Sequence, residues 1–264
     1  YVITEAGFGA DLGAEKFLNI KCRKSGIQPS CVVLVATIRA LKMHGGLEKD
    51  DLKKENLDAL KKGLPNLRKH IVNISYFNLN IVVAINHFNT DSNKEIELIK
   101  KFCSEYGVKV SLCRHWADGG KGAKDLAKNV VELCKKSKKD KLKFLYSDET
   151  PILKKIEKIA MQIYGAKSIE YGEKIKEQVK NLEKDGFGRF PVCIAKTQYS
   201  FSTDPKLKGA PSDHILSIRE IRLSSGAEFL VVVCGSIMTM PGLPRVPAAD
   251  SIKLNDKGEI EGLF

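Results

Sequence analysis

The sequence has 264 residues, with 44 Lys and Arg against 32 Asp and Glu, a formal net charge of +12. That length suits one large domain or two smaller ones, each able to bury a core without covalent staples. At 43% hydrophobic and 29% charged the composition is that of an ordinary globular protein, and no apolar run approaches the ~18 residues of a membrane span.

Tyr1-Val2-Ile3-Thr4 reads as a strand, and with neither Met nor a basic-then-apolar leader it reads like the interior of a longer chain. Gly7-Phe8-Gly9-Ala10-Asp11-Leu12-Gly13 follows, spaced GxGxxxG rather than the dinucleotide-type GxGxxG. Residues 31–37 (CVVLVAT), 80–86 (NIVVAIN) and 108–113 (VKVSLC) read as buried strands, with a soft boundary in the polar stretch 63–70. Helices are expected over 92–105, with Ile96, Ile99, Phe102 and Cys103 on one face, and over 122–135, with Leu126, Val130, Leu133 and Cys134 together. Residues 141–146 read as a strand. After Pro151, a favourable first helical residue, Ile152, Ile156, Ile159 and Ile163 form an apolar stripe. Beyond a boundary near 186–190, strands at 191–195, 214–222 and 228–234 are joined by loops rich in Gly, Pro and Ser. Asp256-Lys257-Gly258 suits a terminal hairpin turn. The class is α/β: parallel βαβ layers followed by a strand-rich α+β region.

Seven cysteines, an odd number without CxxC spacing, lie mostly in apolar runs and imply buried thiols in a reducing compartment rather than disulfides or zinc. The lysines are spread over the polar faces of helices, so the excess charge points to solvated faces or an anionic small ligand rather than to a nucleic acid. His44, His70, His87, His115 and His214 show no metal spacing, and the chain contains no Walker A sequence. Asp118-Gly119-Gly120-Lys121-Gly122 opens a helix, where free N–H groups and a lysine can meet an anion. Ser224-Ser225-Gly226 reads as a plain turn. The aromatics say more. Trp116 and Phe88 each follow a predicted parallel strand, and ligands of open α/β sheets bind beyond the carboxyl ends of such strands. Two rings on that rim either cap the sheet or sandwich a flat heteroaromatic ligand.

Residues 35–46 (VATIRALKMHGG) resemble a signature of the formate–tetrahydrofolate ligase family. TEAGFGADLGAEKF (4–17), KCRKSG (21–26), NHFNTD (86–91), HWADGGKGA (115–123), AKTQYSFSTDP (195–205) and IMTMPGLPRVPAA (237–249) resemble it too, in order, across effectively the whole chain. The resemblance implies an enzyme that makes 10-formyltetrahydrofolate from formate, tetrahydrofolate and MgATP through formyl phosphate. It implies that Phe88 and Trp116 hold the folate ring and that Phe8, with Gly9, lines the reaction site. Asn89 departs from the proline some members carry there. Thr37 and Arg39, and Gly119, Gly120 and Lys121, are candidates for nucleotide or anion contacts. Lys121 and Lys124 are candidates for attracting glutamate tails of folates.

Family chains are about twice this length, and the portion matching their phosphate loop is not in this sequence. The resemblance therefore implies a C-terminal portion, inactive alone, that needs the N-terminal half as partner. A non-catalytic assembly fragment of the same fold is the alternative. Residues 1–68 would end a P-loop NTPase-like nucleotide domain, 69–188 would form a smaller α/β folate domain, and 189–264 the strand-rich domain. A homo-oligomer, a cytoplasmic or mitochondrial location and a monovalent cation are further implications. No bound metal, nucleic acid or membrane is expected.

Overall fold

The computed structural model describes residues 1–137, 142–237 and 245–262. A first layer is a parallel sheet in the order β1-β2-β3, formed by Val32–Ala36, Ile81–Asn86 and Lys109–Cys113. The apolar runs read from the sequence fall on these strands. β2 is central and buried on both faces, as a strand covered by helices on both sides must be.

Helices α3 (Ile38–His44), α4 (Leu57–Ser75) and α5 (Asn93–Glu105) close a core with one face of this sheet. Leu34, Leu41, Leu64, Val83, Ile85, Ile96 and Ile99 fill it. Ile96, Ile99 and Cys103 of the expected α5 stripe are buried there, with Phe102 packed beside them. On the other face α7 (Lys124–Lys136) lies over β2 and β3, where Asn129 donates to Ser111 Oγ at 2.9 Å. β1 is an edge strand, and its Val33 and Val35 are 39% and 63% exposed.

α4 runs without interruption through residues 63–70, where the sequence suggested a boundary, and β1 and β2 on either side of that stretch pair directly. Gly63 is a packing residue there. A Cβ on it would lie 1.8 Å from the Leu41 carbonyl oxygen, and a Cβ on Gly45 would lie 1.8 Å from that of Ala59. The two glycines let α3 and α4 touch backbone to backbone, and Pro65 sits inside the helix. The crossing is tied at one end by Lys42, whose buried Nζ pairs with Glu95 at 2.9 Å and donates to the Lys54 carbonyl.

A second layer is a mixed four-stranded sheet ordered β4-β6-β7-β5, from Ser168–Glu170, Ile215–Ser224, Phe229–Cys234 and Val192–Ala195. The β6–β7 hairpin turns at Ser225-Gly226 as read. α8 (Ile152–Lys158), its π-helical continuation Ile159–Ile163 and α9 (Glu173–Lys184) pack around the sheet. The isoleucine stripe 152, 156, 159, 163 is fully buried. The same core takes Leu18 and Cys22 from a helix not evident in the sequence pattern, α1 (Gly13–Lys16) running through a π turn (Phe17–Cys22) into α2 (Arg23–Ser25).

Two expected strands do not form. Residues 1–7 are not a strand, and Tyr1, Val2 and Ile3 are exposed. Within 141–146, Lys141 lies outside the described residues and 142–146 carry no ladder. Their backbone N–H groups go instead to Gln28 Oε1 (Leu142), the Phe77 carbonyl (Lys143) and Asn19 Oδ1 (Leu145), while Leu142, Leu145 and Tyr146 are buried. Burial alone made this stretch look like a strand. The terminal hairpin does form, β8 (Lys253–Leu254) against β9 (Ile260–Glu261). Asn255 Oδ1 accepts from Lys257 and Glu259, and Gly258 has φ +77°. Most of the 237–249 stretch, residues 238–244, lies outside the described residues.

Candidate functional site

The three parallel strands end side by side, and the residues that follow them build one rim. After β1, Thr37 caps α3 by accepting from the Ala40 N–H at 3.1 Å. Its oxygen is thus engaged by the helix, the packing role of a helix start. Arg39 points back across the rim. Its guanidinium lies 3.9 Å from the centre of the Phe88 ring and donates through Nη2 to Thr90 Oγ1 at 3.0 Å.

After β2, residues 87–91 make a tight loop. The Phe88 N–H donates to Asp91 Oδ2 at 2.8 Å and the Asp91 N–H to the Phe88 carbonyl at 2.9 Å. Ser92 then starts α5 with a capping box shared with Glu95. Burial raises the Asp91 pKa, against the Phe88 N–H that lowers it. After β3, α6 (His115–Asp118) carries Trp116, whose Nε1 donates to the His87 carbonyl at 3.1 Å while the ring is 59% exposed. That bond ties the loops after β2 and β3 together beside Phe88, and the His87 N–H donates to Cys113 in the same seam.

Gly119, Gly120 and Lys121 form an exposed 3-10 turn leading into α7. Gly119 has φ +58°, and the side a Cβ would take at Gly119 and Gly120 is open. Gly122 is the tight one: its Cβ would meet the Arg114 carbonyl carbon at 2.4 Å, and its carbonyl accepts from the Arg114 N–H. The rim thus joins Arg39 to Phe88 and Thr90 and Trp116 to His87, while Thr37, Asn89 and the 119–121 turn lie on the same three segments that follow the strands.

Phe8 and Gly9 have other neighbours. Their turn sits at the seam between the two cores, where Ala10 packs against both. Phe8 holds φ +62°, uncommon for a residue with a Cβ, and its ring is 77% exposed. Beneath it lies a buried ion pair that sequence reasoning missed. Lys196 Nζ donates to Asp11 Oδ2 at 2.9 Å and to the carbonyls of Thr197 and Ser200, and it lies 4.6 Å from the Tyr164 ring centre. The two side chains are 0% and 7% exposed. This accounts for part of the 195–205 stretch: Lys196 locks the loop after β5 to the Phe8 turn, and the Phe201 ring packs tilted against His70 at 4.7 Å. Burial lowers the pKa of Lys196 and of His70, and pushes His44 down to about 4.

Among the described residues no group of three His, Cys, Asp or Glu side chains is arranged to hold a metal ion, and no helix is long and apolar enough to cross a membrane. All seven cysteines are free thiols.

The family model for formate–tetrahydrofolate ligase matches residues 1–264. A protein named formate–tetrahydrofolate ligase from Pelagibacter ubique is 66% identical over 264 residues, which are 100% of this chain and 47% of the relative. Proteins of the same name from Roseobacter denitrificans and Beijerinckia indica are 57% and 59% identical over 266 and 265 residues, again 100% of this chain and 47% and 48% of theirs. The chain spans about half the length of the curated relatives it matches. It belongs to the formate–tetrahydrofolate ligase family.

Proposed function

We propose that this chain supplies the folate-stacking part of an ATP-dependent ligase that formylates tetrahydrofolate at N10. The observation that carries the reading is the rim itself. Phe88 and Trp116 follow neighbouring parallel strands at their carboxyl ends, and Trp116 is tied through its Nε1 to the carbonyl of His87, the residue before Phe88. Two aromatic faces hold a flat heteroaromatic ring by offset stacking and leave its amine end free.

In the whole reaction, formate oxygen attacks the γ-phosphorus of ATP, ADP leaves, and formyl phosphate forms. The N10 amine then attacks the formyl carbon, and the bond from that carbon to the phosphate oxygen breaks. Little covalent work falls to the protein; positioning and charge neutralisation carry the rate. Phe88 and Trp116 position the folate. Phe8 and Gly9 line the reacting end. Lys121 and Lys124, both exposed, attract glutamate tails. MgATP and the phosphates are held by a segment equivalent to the other half of the relatives. The open edge of β1, with Val33 partly and Val35 largely exposed, supports a covering partner on this layer. The assembled enzyme is proposed to be a cytoplasmic homo-oligomer, as the free thiols and the family resemblance favour.

The test uses residues 1–264. Tetrahydrofolate should quench Trp116 fluorescence, Trp116→Phe should abolish that signal, and formate-dependent ATP consumption should be absent until the other half is added. Turnover by the chain alone, or wild-type protein without quenching, overturns the reading.

A further inference from the structure

We propose that Arg39 is a positioning residue for the aromatic clamp: its guanidinium, laid on the Phe88 ring and bonded to Thr90, holds that ring ready to stack a flat ligand. The inference rests on the folate reading of the rim.

Phe88 sits half-buried in the six-residue loop between β2 and α5, and the bonds that close that loop are made by its backbone and by Asp91. Nothing in those bonds restrains the ring about its side-chain torsions. Arg39 does, from a different element. It leaves the first turn of α3, whose start is fixed by the Thr37 cap, and covers one face of the ring at 3.9 Å. The bond from Nη2 to Thr90 Oγ1 prevents the guanidinium from sliding off. Its Nε is stripped of solvent without a hydrogen-bond partner, so this side chain is held by the stack and the Thr90 bond at the cost of an unsatisfied donor. A planar, permanently charged group on a ring face is a favourable contact that a lysine ammonium reproduces only in part. With one face covered, the Phe88 ring offers a single face to a ligand, so the stacking direction is set before the ligand arrives. This places Arg39 with the clamp rather than with a nucleotide.

The test compares residues 1–264 carrying Arg39→Leu, Arg39→Lys, Phe88→Leu and the double change Arg39→Leu with Phe88→Leu. Tetrahydrofolate affinity is measured by calorimetry. Arg39→Leu should weaken binding about tenfold, Arg39→Lys should recover part of that, and Arg39→Leu should add no further loss once Phe88 is leucine. Aromatic 13C relaxation of the Phe88 ring in the ligand-free chain should show faster ring motion in Arg39→Leu. Unchanged or tighter binding in Arg39→Leu overturns the proposal, since Arg39 would then be a cover that the ligand displaces. The same loss with and without Phe88 overturns it too. If the wild-type chain binds no tetrahydrofolate, the folate reading fails, and ring relaxation still decides the role of Arg39: unchanged ring motion overturns it.

Discussion

Glu15 gives the most direct measure of how this interior treats charge. It stands on α1, 1% exposed, with Oε1 accepting from Asn19 Nδ2 at 2.7 Å and Oε2 without a partner. Burial lifts its pKa from 4.5 to about 7, although the Asn19 bond and Lys16 oppose the shift. A carboxyl whose folded pKa is raised keeps its proton in the folded state after the unfolded chain has lost it. Stability is therefore whole below about 4.5 and is lost as the pH climbs through about 7. At about 1.4 kcal/mol per pH unit, the loss across that window is about 3 kcal/mol. Glu15→Gln keeps an Oε1 acceptor for Asn19 and carries no proton to lose. Wild type and variant should match near pH 4. At pH 8 the variant should be about 3 kcal/mol more stable, roughly 5–10 °C in melting temperature for a chain of this size. Urea and thermal melts of both proteins at intervals from pH 4 to 8 read the gap directly. A gap that is constant across the range, or absent at pH 8, would refute the assignment of a neutral, desolvated Glu15.

Lys196→Met should cost about 3–5 kcal/mol in urea melts, because it strands the Asp11 carboxylate in the interior, and adding Asp11→Asn should return part of it. Gly63→Ala should destabilise by 1 kcal/mol or more, roughly, since α3 and α4 must separate to admit the methyl group; a melting temperature equal to wild type would contradict the close crossing. His44, held down to about 4 by burial and by neighbouring His70 and Lys208, adds the opposite pH dependence. Its stability contribution is intact above about 6.5 and lost as the pH falls through about 4, so His44→Gln should flatten the acid side of the wild-type melting profile.

Strands β1–β3 and β5–β7 were legible as mostly apolar runs bounded by turn residues, and the isoleucine stripe of α8 because its spacing is helical; β4, only Ser168–Glu170, carries no such run and was not read. α4 was not legible. Gly63 and Pro65 carry the signature of a break, and only the closeness of Leu41 shows why a glycine belongs inside that helix. The 142–146 stretch misled for the converse reason. Its apolar side chains are buried, but the groups satisfying its backbone, Asn19 and Gln28, come from more than a hundred residues away. Of the candidate site, the placing of Phe88 and Trp116 follows from a general property of parallel sheets. The stacking of Arg39 on Phe88 depends on the direction α3 takes after its cap. The burial of Lys196 depends on a partner 185 residues distant.

The two layers close over very different stretches of chain. The three-stranded sheet and its helices are complete within residues 32–136. The helix over residues 13–25 finds its partners at Leu145, Asp148 and Glu228, and Asp11 meets Lys196. During synthesis, then, the rim layer can finish while the segment before it is still waiting for its counterparts to leave the ribosome. Contacts of such separation make folding slow and leave apolar surface open in the meantime. Within this stretch of chain the clamp layer can close first, and the turn carrying Phe8 is anchored only after residue 196 has emerged.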